Sequence, residues 1–164
     1  MFKRSAFSLA IAASLVASTF CAVHAETPAQ KKENIHRCLL QIYLSQHRPE
    51  ASDEYKALLA IRPTDAPMHF EYGNTLFRGG NYAGAATEYQ AAIKNGARGE
   101  YEVGLGNALM RTKNYRGAVA AYRKAVELGG SGAANAGQLL QSAQQYVQQQ
   151  EAYDAYKKQQ KENE

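Results

Sequence analysis

A chain of 164 residues has room for one domain of ordinary size, and its formal net charge of +4 is too small and too evenly spread to form the clustered basic face that nucleic-acid binding requires. Its two cysteines, Cys21 and Cys38, are too few to complete a zinc ligand set.

The first 25 residues read as a targeting segment. Lys3 and Arg4 give a positive start, Phe7 to Phe20 form an apolar run, and Cys21-Ala22-Val23-His24-Ala25 ends on a small residue with Val two positions before it. That order is the layout of a secretory signal peptide, with cleavage expected after Ala25. The run is shorter than the roughly 20 residues a spanning helix needs. Phe20 before Cys21 fits lipoprotein processing poorly. Removal of residues 1–25 takes Lys3 and Arg4 and no acidic residue, so 19 basic against 15 acidic becomes 17 against 15 and the charge falls from +4 to +2. Cys38 is then alone, an intramolecular disulfide is excluded, and the core must hold the fold. No later run is long enough for a membrane span, so a soluble mature protein is expected.

Residues 26–31 read as a flexible lead-in to a domain over 32–164. Within 32–65 a faint two-part pattern places Leu39 and Ile42 in a first half and Ala51, Tyr55 and Pro63 in a second. Over 66–98 the pattern becomes explicit: Tyr72-Gly73-Asn74-Thr75-Leu76-Phe77-Arg78, then Asn81-Tyr82, Ala85, Tyr89 and Ala92. Over 99–129 it recurs as Leu105-Gly106-Asn107-Ala108-Leu109-Met110-Arg111, then Asn114-Tyr115, Ala118, Tyr122 and Ala125, every position offset by 33 residues. A fixed period of this length is the mark of stacked supersecondary units.

Each unit reads as two short helices. Phe70, Gly73, Leu76 and Phe77 recur at helical spacing, Gly79-Gly80-Asn81 breaks the pattern, and Ala85, Tyr89, Ala92 and Ile93 resume it. Gly73 and Ala85 are expected where the helices cross. Tyr82 and Tyr89 are expected to supply apolar area while their hydroxyls stay wet at the edge. Over 130–164 Gly137, Leu140, Gln145-Tyr146 and Tyr153 keep the internal spacing, but Gln149 and Tyr156 stand where alanines are expected. The segment from Gln148 to Glu164 is polar and suits an outer capping helix.

The order Gly, Leu, Gly-x-Tyr, Ala, Tyr at this period resembles the tetratricopeptide repeat family, strongly in two units and partially in two. Trp is absent, and Ala97 replaces the end-of-unit proline that Pro63 keeps. The resemblance implies an all-α, right-handed superhelical solenoid of about four helix-turn-helix units with a polar C-terminal capping helix. It also implies a binding scaffold whose first helices line a concave groove. The matched positions are Phe70, Asn74, Phe77 and Arg78, then Val103, Asn107, Met110 and Arg111, with His36, Leu40 and Tyr43 at one end and Gln138 and Ser142 at the other.

Asn and Arg stand four apart in both units and share a helix face. An asparagine amide can both donate to and accept from an extended peptide backbone, and an arginine can grip a carboxylate with two parallel hydrogen bonds. The expected ligand is therefore an extended protein or peptide segment with an acidic stretch or carboxylate end.

Other signals carry less. Cys38 is expected to be a small buried hydrophobe beside Leu39 and Ile42, with an intermolecular disulfide as the alternative. His36 and Cys38, two apart on a helix, point to different faces, His47 and His69 stand isolated, and no metal site is expected. Gly104-Leu105-Gly106 lacks the third glycine and preceding strand of a phosphate loop. Glu71, Glu88, Glu100 and Glu102 are expected on solvated surfaces, and no catalytic motif or cofactor is expected. The reading is a non-catalytic adaptor of the bacterial cell envelope, periplasmic or secreted. The alternative is a self-associating structural subunit of an envelope assembly.

Overall fold

The computed structural model describes residues 26–130 and 134–163, so the signal-like segment and its cleavage site lie outside the described residues. The chain divides into two compact bodies, residues 1–54 and 55–164. The described secondary structure is helical throughout: α1 (Pro28–Ser45), α2 (Ala51–Ile61), α3 (Ala66–Arg78), α4 (Tyr82–Asn95), α5 (Gly99–Arg111), α6 (Tyr115–Leu128) and α7 (Ala136–Glu162). The body boundary falls within α2.

The helix starts follow from side chains that satisfy otherwise unpaired backbone donors. The Thr27 hydroxyl accepts from Gln30 N at 3.2 Å while Gln30 Oε1 accepts from Thr27 N at 2.9 Å, a capping box completed by Pro28 in the first turn. Residues 28–31, expected as a loose lead-in, are thereby the first turn of α1. Asp65 caps α3 at Met68 N, 3.0 Å. Asn81 and Asn114 cap α4 and α6 in the same way, each accepting at 3.0 Å from the amide of a glycine three residues on, Gly84 and Gly117.

The turns between paired helices repeat as well. His47, Gly80 and Lys113, spaced 33 apart, all take positive φ, at 55°, 81° and 62°. Beyond each, Arg48 N, Asn81 N and Lys113's successor Asn114 N reach back to Tyr43 O, Leu76 O and Leu109 O at 2.9, 2.9 and 2.8 Å. This closure satisfies carbonyls at the end of α1, α3 and α5 through one left-handed residue. Only the middle turn places glycine there.

In the first body, His36 Nδ1 lies 2.6 Å from Glu54 Oε2, and Glu33 and Arg37 pair at 3.0 Å one turn apart on α1. Leu40 is buried and His36 half-buried. Cys38 is exposed, which corrects the expectation of a buried thiol. The buried stripe of α1 runs through Glu33 and Leu40, and position 38 points away from it.

In the second body, α3 packs on α4, α4 on α5, α5 on α6 and α6 on α7. Buried Tyr55 at its start stacks on Tyr72 of α3 with ring centroids 5.1 Å apart. Ala85, Ala108, Ala118 and Ala125 have no exposed surface, so the backbones approach at the small residues. Tyr89 fills the space between hairpins. A Cβ on Gly73 of α3 would stand 2.7 Å from its Cε1, and one on Gly104 of α5 would stand 2.9 Å away. Gly106 receives the ring of Tyr122 in the same manner. A buried side chain of this size contributes about 2–3 kcal/mol. The hydroxyl of Tyr89 is buried with its ring, which corrects the expectation that it stays wet.

The last segment departs from the repeat. α7 is one helix of 27 residues, where the sequence spacing placed a degenerate hairpin. The residues after Leu140 are Gln, Ser, Ala, Tyr and Val, with no Gly or Asn at the point where Gly80-Asn81 and Lys113-Asn114 turn the chain. These residues tolerate helix better than they cap one, so the chain runs straight. Ala136, Leu139, Leu140, Ala143 and Val147 turn towards the core or are partly covered, and residues 148–163 are exposed.

Candidate functional site

The face that α3 and α5 present carries the repeated Asn and Arg positions. Asn74 follows Gly73 and Asn107 follows Gly106, so each asparagine sits next to the contact that seats a tyrosine from the paired helix. The tyrosine then reaches it. Tyr89 Oη donates to Asn74 Oδ1 at 2.8 Å, and Tyr122 Oη donates to Asn107 Oδ1 at 2.7 Å. Both asparagines are half-buried. No buried side-chain nitrogen or oxygen among the described residues lacks a partner, so the two amide NH2 groups, which have no protein acceptor there, open to solvent. Burial pushes both phenols up to about 12 from their ordinary 10.0, so they are protonated donors at neutral pH.

The arginines are not equivalent, although the sequence makes them so. Arg111 lies on Tyr82 of α4, its Cζ 4.4 Å from the ring centroid, a cation–π contact. Phe77 meets the same ring edge-on at 5.1 Å, which forms a column of Phe77, Tyr82 and Arg111. Arg78 instead sits near the Tyr55 and Tyr89 hydroxyls, where its charge opposes the upward push of burial on both phenols. Both guanidinium side chains are on exposed residues and keep free donors.

The apolar positions are shared with the core. Phe70 lies 5.7 Å from Tyr89 and 4.8 Å from Tyr101 between ring centroids, so most of its ring is used in packing. Met110 is half-buried and packs with the cluster of Ala118, Tyr122 and Ala143. Val103 bridges that cluster and the one at Ala125 and Ala136. Tyr43 belongs to the first body, half-buried with Arg48 Cζ 5.5 Å over its ring. Of its neighbours on α1, Leu40 is buried and His36 is tied to Glu54, so neither is free to contact a ligand. Gln138 and Ser142 are exposed on α7.

Sequence reasoning missed a second repeated pair. His69 is not isolated: its Nδ1 lies 2.7 Å from Glu88 Oε2 and its Nε2 lies 3.1 Å from Pro63 O. His36 and Glu54 occupy the matching places one period earlier, and the 33-residue offset between the histidines was the available signal. One period later the position is Glu102, 3 % exposed, which corrects its placement on a solvated surface. Burial raises its carboxyl above the usual range, with Lys124 pulling the other way. Among the described residues, no three or more His, Cys, Asp or Glu side chains gather to hold a metal ion, and no helix is long and apolar enough to cross a membrane.

The tetratricopeptide repeat profile matches residues 42–100 and 73–135, which together span more than half of the chain. The chain belongs to the tetratricopeptide repeat family. Solved structures of such repeats share its fold. The first TPR of Spaghetti (RPAP3) bound to the HSP90 peptide SRMEEVD superposes with a TM-score of 0.61 at 18% identity, over 71% of this chain and 94% of that one. The Sgt2 TPR domain from Aspergillus fumigatus gives a TM-score of 0.63 at 21% identity, over 78% and 85%. A comparison with curated protein sequences finds no match.

Proposed function

We propose that this tetratricopeptide repeat chain is a non-catalytic scaffold that holds an extended, acidic segment of a partner protein along the α3/α5 face. The observation that carries the reading is the repeated pair of asparagine amides, each gripped by a buried tyrosine so that its NH2 opens outward, with an arginine one turn on in each helix. Paired donors with adjacent guanidinium groups suit backbone carbonyls and carboxylates. The similar fold of the Spaghetti TPR, solved with an acidic peptide, supports the same ligand class. We further place the protein in the bacterial cell envelope, on the signal layout of residues 1–25 alone. N-terminal sequencing of the exported protein tests that placement, and an intact Met1 would remove it.

The binding reading is tested by titrating the acidic heptapeptide SRMEEVD into the mature protein and an Arg78→Ala/Arg111→Ala variant. Loss of two charge-assisted contacts weakens binding by about tenfold or more, and added salt narrows the gap. Equal affinity of the two proteins removes the arginines from the site.

A second reading, self-association, is favoured by Tyr146, Tyr153 and Tyr156 of α7, which are 48%, 58% and 60% exposed. Light scattering across a concentration series separates the two, because a monomer at all concentrations leaves only the scaffold.

A further inference from the structure

The tyrosine–asparagine bonds have a direction, and the direction limits what the face can bind. A phenol can donate its proton to an amide oxygen, or accept from the amide NH2. Tyr89 and Tyr122 are each 2% exposed, and Oδ1 of Asn74 or Asn107 is the one acceptor each hydroxyl reaches among the described residues. Turning either amide over would leave a buried phenol proton without an acceptor. At Tyr89 the nearby charge is Arg78, which has donors only and cannot take that proton. The amides are therefore locked with oxygen inward and NH2 outward.

Glycine makes the lock possible. A Cβ at Gly73 would stand 2.7 Å from the Tyr89 ring, so the hydroxyl reaches the neighbouring asparagine only because residue 73 has no side chain. The same relation holds between Gly106 and Tyr122. Repetition of the whole arrangement in two successive hairpins sets two outward NH2 groups on α3 and α5, helices that touch one another.

We propose that Tyr89 and Tyr122 are positioning residues that fix Asn74 and Asn107 as hydrogen-bond donors, so that the α3/α5 face selects ligands presenting acceptors, the carbonyls and carboxylates of an extended chain, over ligands presenting amides. This rests on the scaffold reading above and deepens it. Without the lock an asparagine turns to suit either a donor or an acceptor. With it, the face discriminates.

The test uses Tyr89→Phe/Tyr122→Phe, which keeps both rings against their glycines and removes only the hydroxyls. The first readout needs no ligand: side-chain amide resonances of Asn74 and Asn107 by NMR. Ordered, shifted NH2 signals in the parent collapse towards free asparagine in the Phe variant. Unchanged signals overturn the lock even if no peptide binds, and a collapse with no peptide binding leaves the lock standing while removing the scaffold reading.

The second readout is affinity for the acidic heptapeptide SRMEEVD against the same peptide with its carboxyl groups converted to amides. The parent prefers the acid form, and the Phe variant loses about fivefold of that preference, the scale of one neutral hydrogen bond. In an Asn74→Ala/Asn107→Ala background the Phe substitutions change affinity no further. An equal loss in both backgrounds, or an undiminished preference for the acid form, overturns the proposal.

Discussion

The ring of Tyr89 stands against two glycines at once, with the place of a Gly73 Cβ 2.7 Å from Cε1 and that of a Gly104 Cβ 2.9 Å from the same atom. One side chain of α4 thus closes its own hairpin and seats the next. Gly104→Ala is expected to cost about 1–3 kcal/mol by overpacking, a fall of several degrees in melting temperature. Gly137→Ala, where a Cβ meets nothing within 4 Å, is expected to stabilise by about 0.5–1 kcal/mol through helix propensity. Thermal melts of the two variants should move in opposite directions, and a neutral Gly104→Ala would show that the stack yields at Tyr89.

The left-handed turn position offers a second comparison. Lys113 carries φ of 62° where Gly80 carries 81°. Lys113→Gly removes the strain of a side chain in that region and is expected to stabilise by up to about 1 kcal/mol, while Gly80→Ala destabilises by a similar amount. Denaturant midpoints with an unchanged slope are the measurement.

Alkaline pH probes the buried phenols. Tyr89 and Tyr122 are raised to about 12 from 10.0, mainly by desolvation. A folded value above the unfolded one means their contribution is whole below about pH 10 and is lost as pH climbs from there towards about 12. Stability should therefore fall through this window, and Tyr89→Phe/Tyr122→Phe should flatten the fall. A parent protein with level stability across it contradicts the burial of these hydroxyls.

Glu102 acts at the other end of the scale. Desolvation raises its folded value above 4.5, so the protonated form is favoured by folding. Its favourable share is complete below about pH 4.5 and disappears as pH rises through the raised value, leaving a buried charge offset in part by Lys124. Glu102→Gln should melt a few degrees higher than the parent at neutral pH, with the difference vanishing in mild acid. A constant difference at all pH values points to packing instead of charge.

The C-terminal half of α7 should be dispensable for folding. Residues 148–163 are exposed, and the Arg116–Glu151 ion pair, at 2.8 Å on the surface, is worth at most about 1 kcal/mol. Truncation after Gln150 should leave the melting transition within a few degrees of the parent. Removal of Tyr146, which stacks on Tyr115 at 5.3 Å, should cost more.

The helices and their pairing were legible because each rests on local chemistry. Asn81 and Asn114 announce the starts of α4 and α6, and the alternation of Gly73, Ala85 and Tyr89 with its copy 33 residues on announces the contact between hairpins. The straightness of α7 was legible in principle, since no Gly or Asn interrupts it, but the spacing of Tyr146 and Tyr153 favoured a hairpin. Periodicity records where a side chain stands in the chain, while a turn needs residues able to form it.

For the candidate site, the sequence alone determined the positions: Asn74 and Arg78, Asn107 and Arg111, repeated on two first helices of a tetratricopeptide array. Only the tertiary structure decided their condition. It gave both asparagine oxygens to tyrosines fifteen residues away and laid one arginine on Tyr82 while leaving its counterpart beside the Tyr55 and Tyr89 hydroxyls. It also buried Glu102 where the two preceding periods hold paired histidines. The reason is that a repeat fixes which residues recur, whereas hydrogen bonds, ring contacts and desolvation depend on the neighbouring helix, and each helix here has a different neighbour.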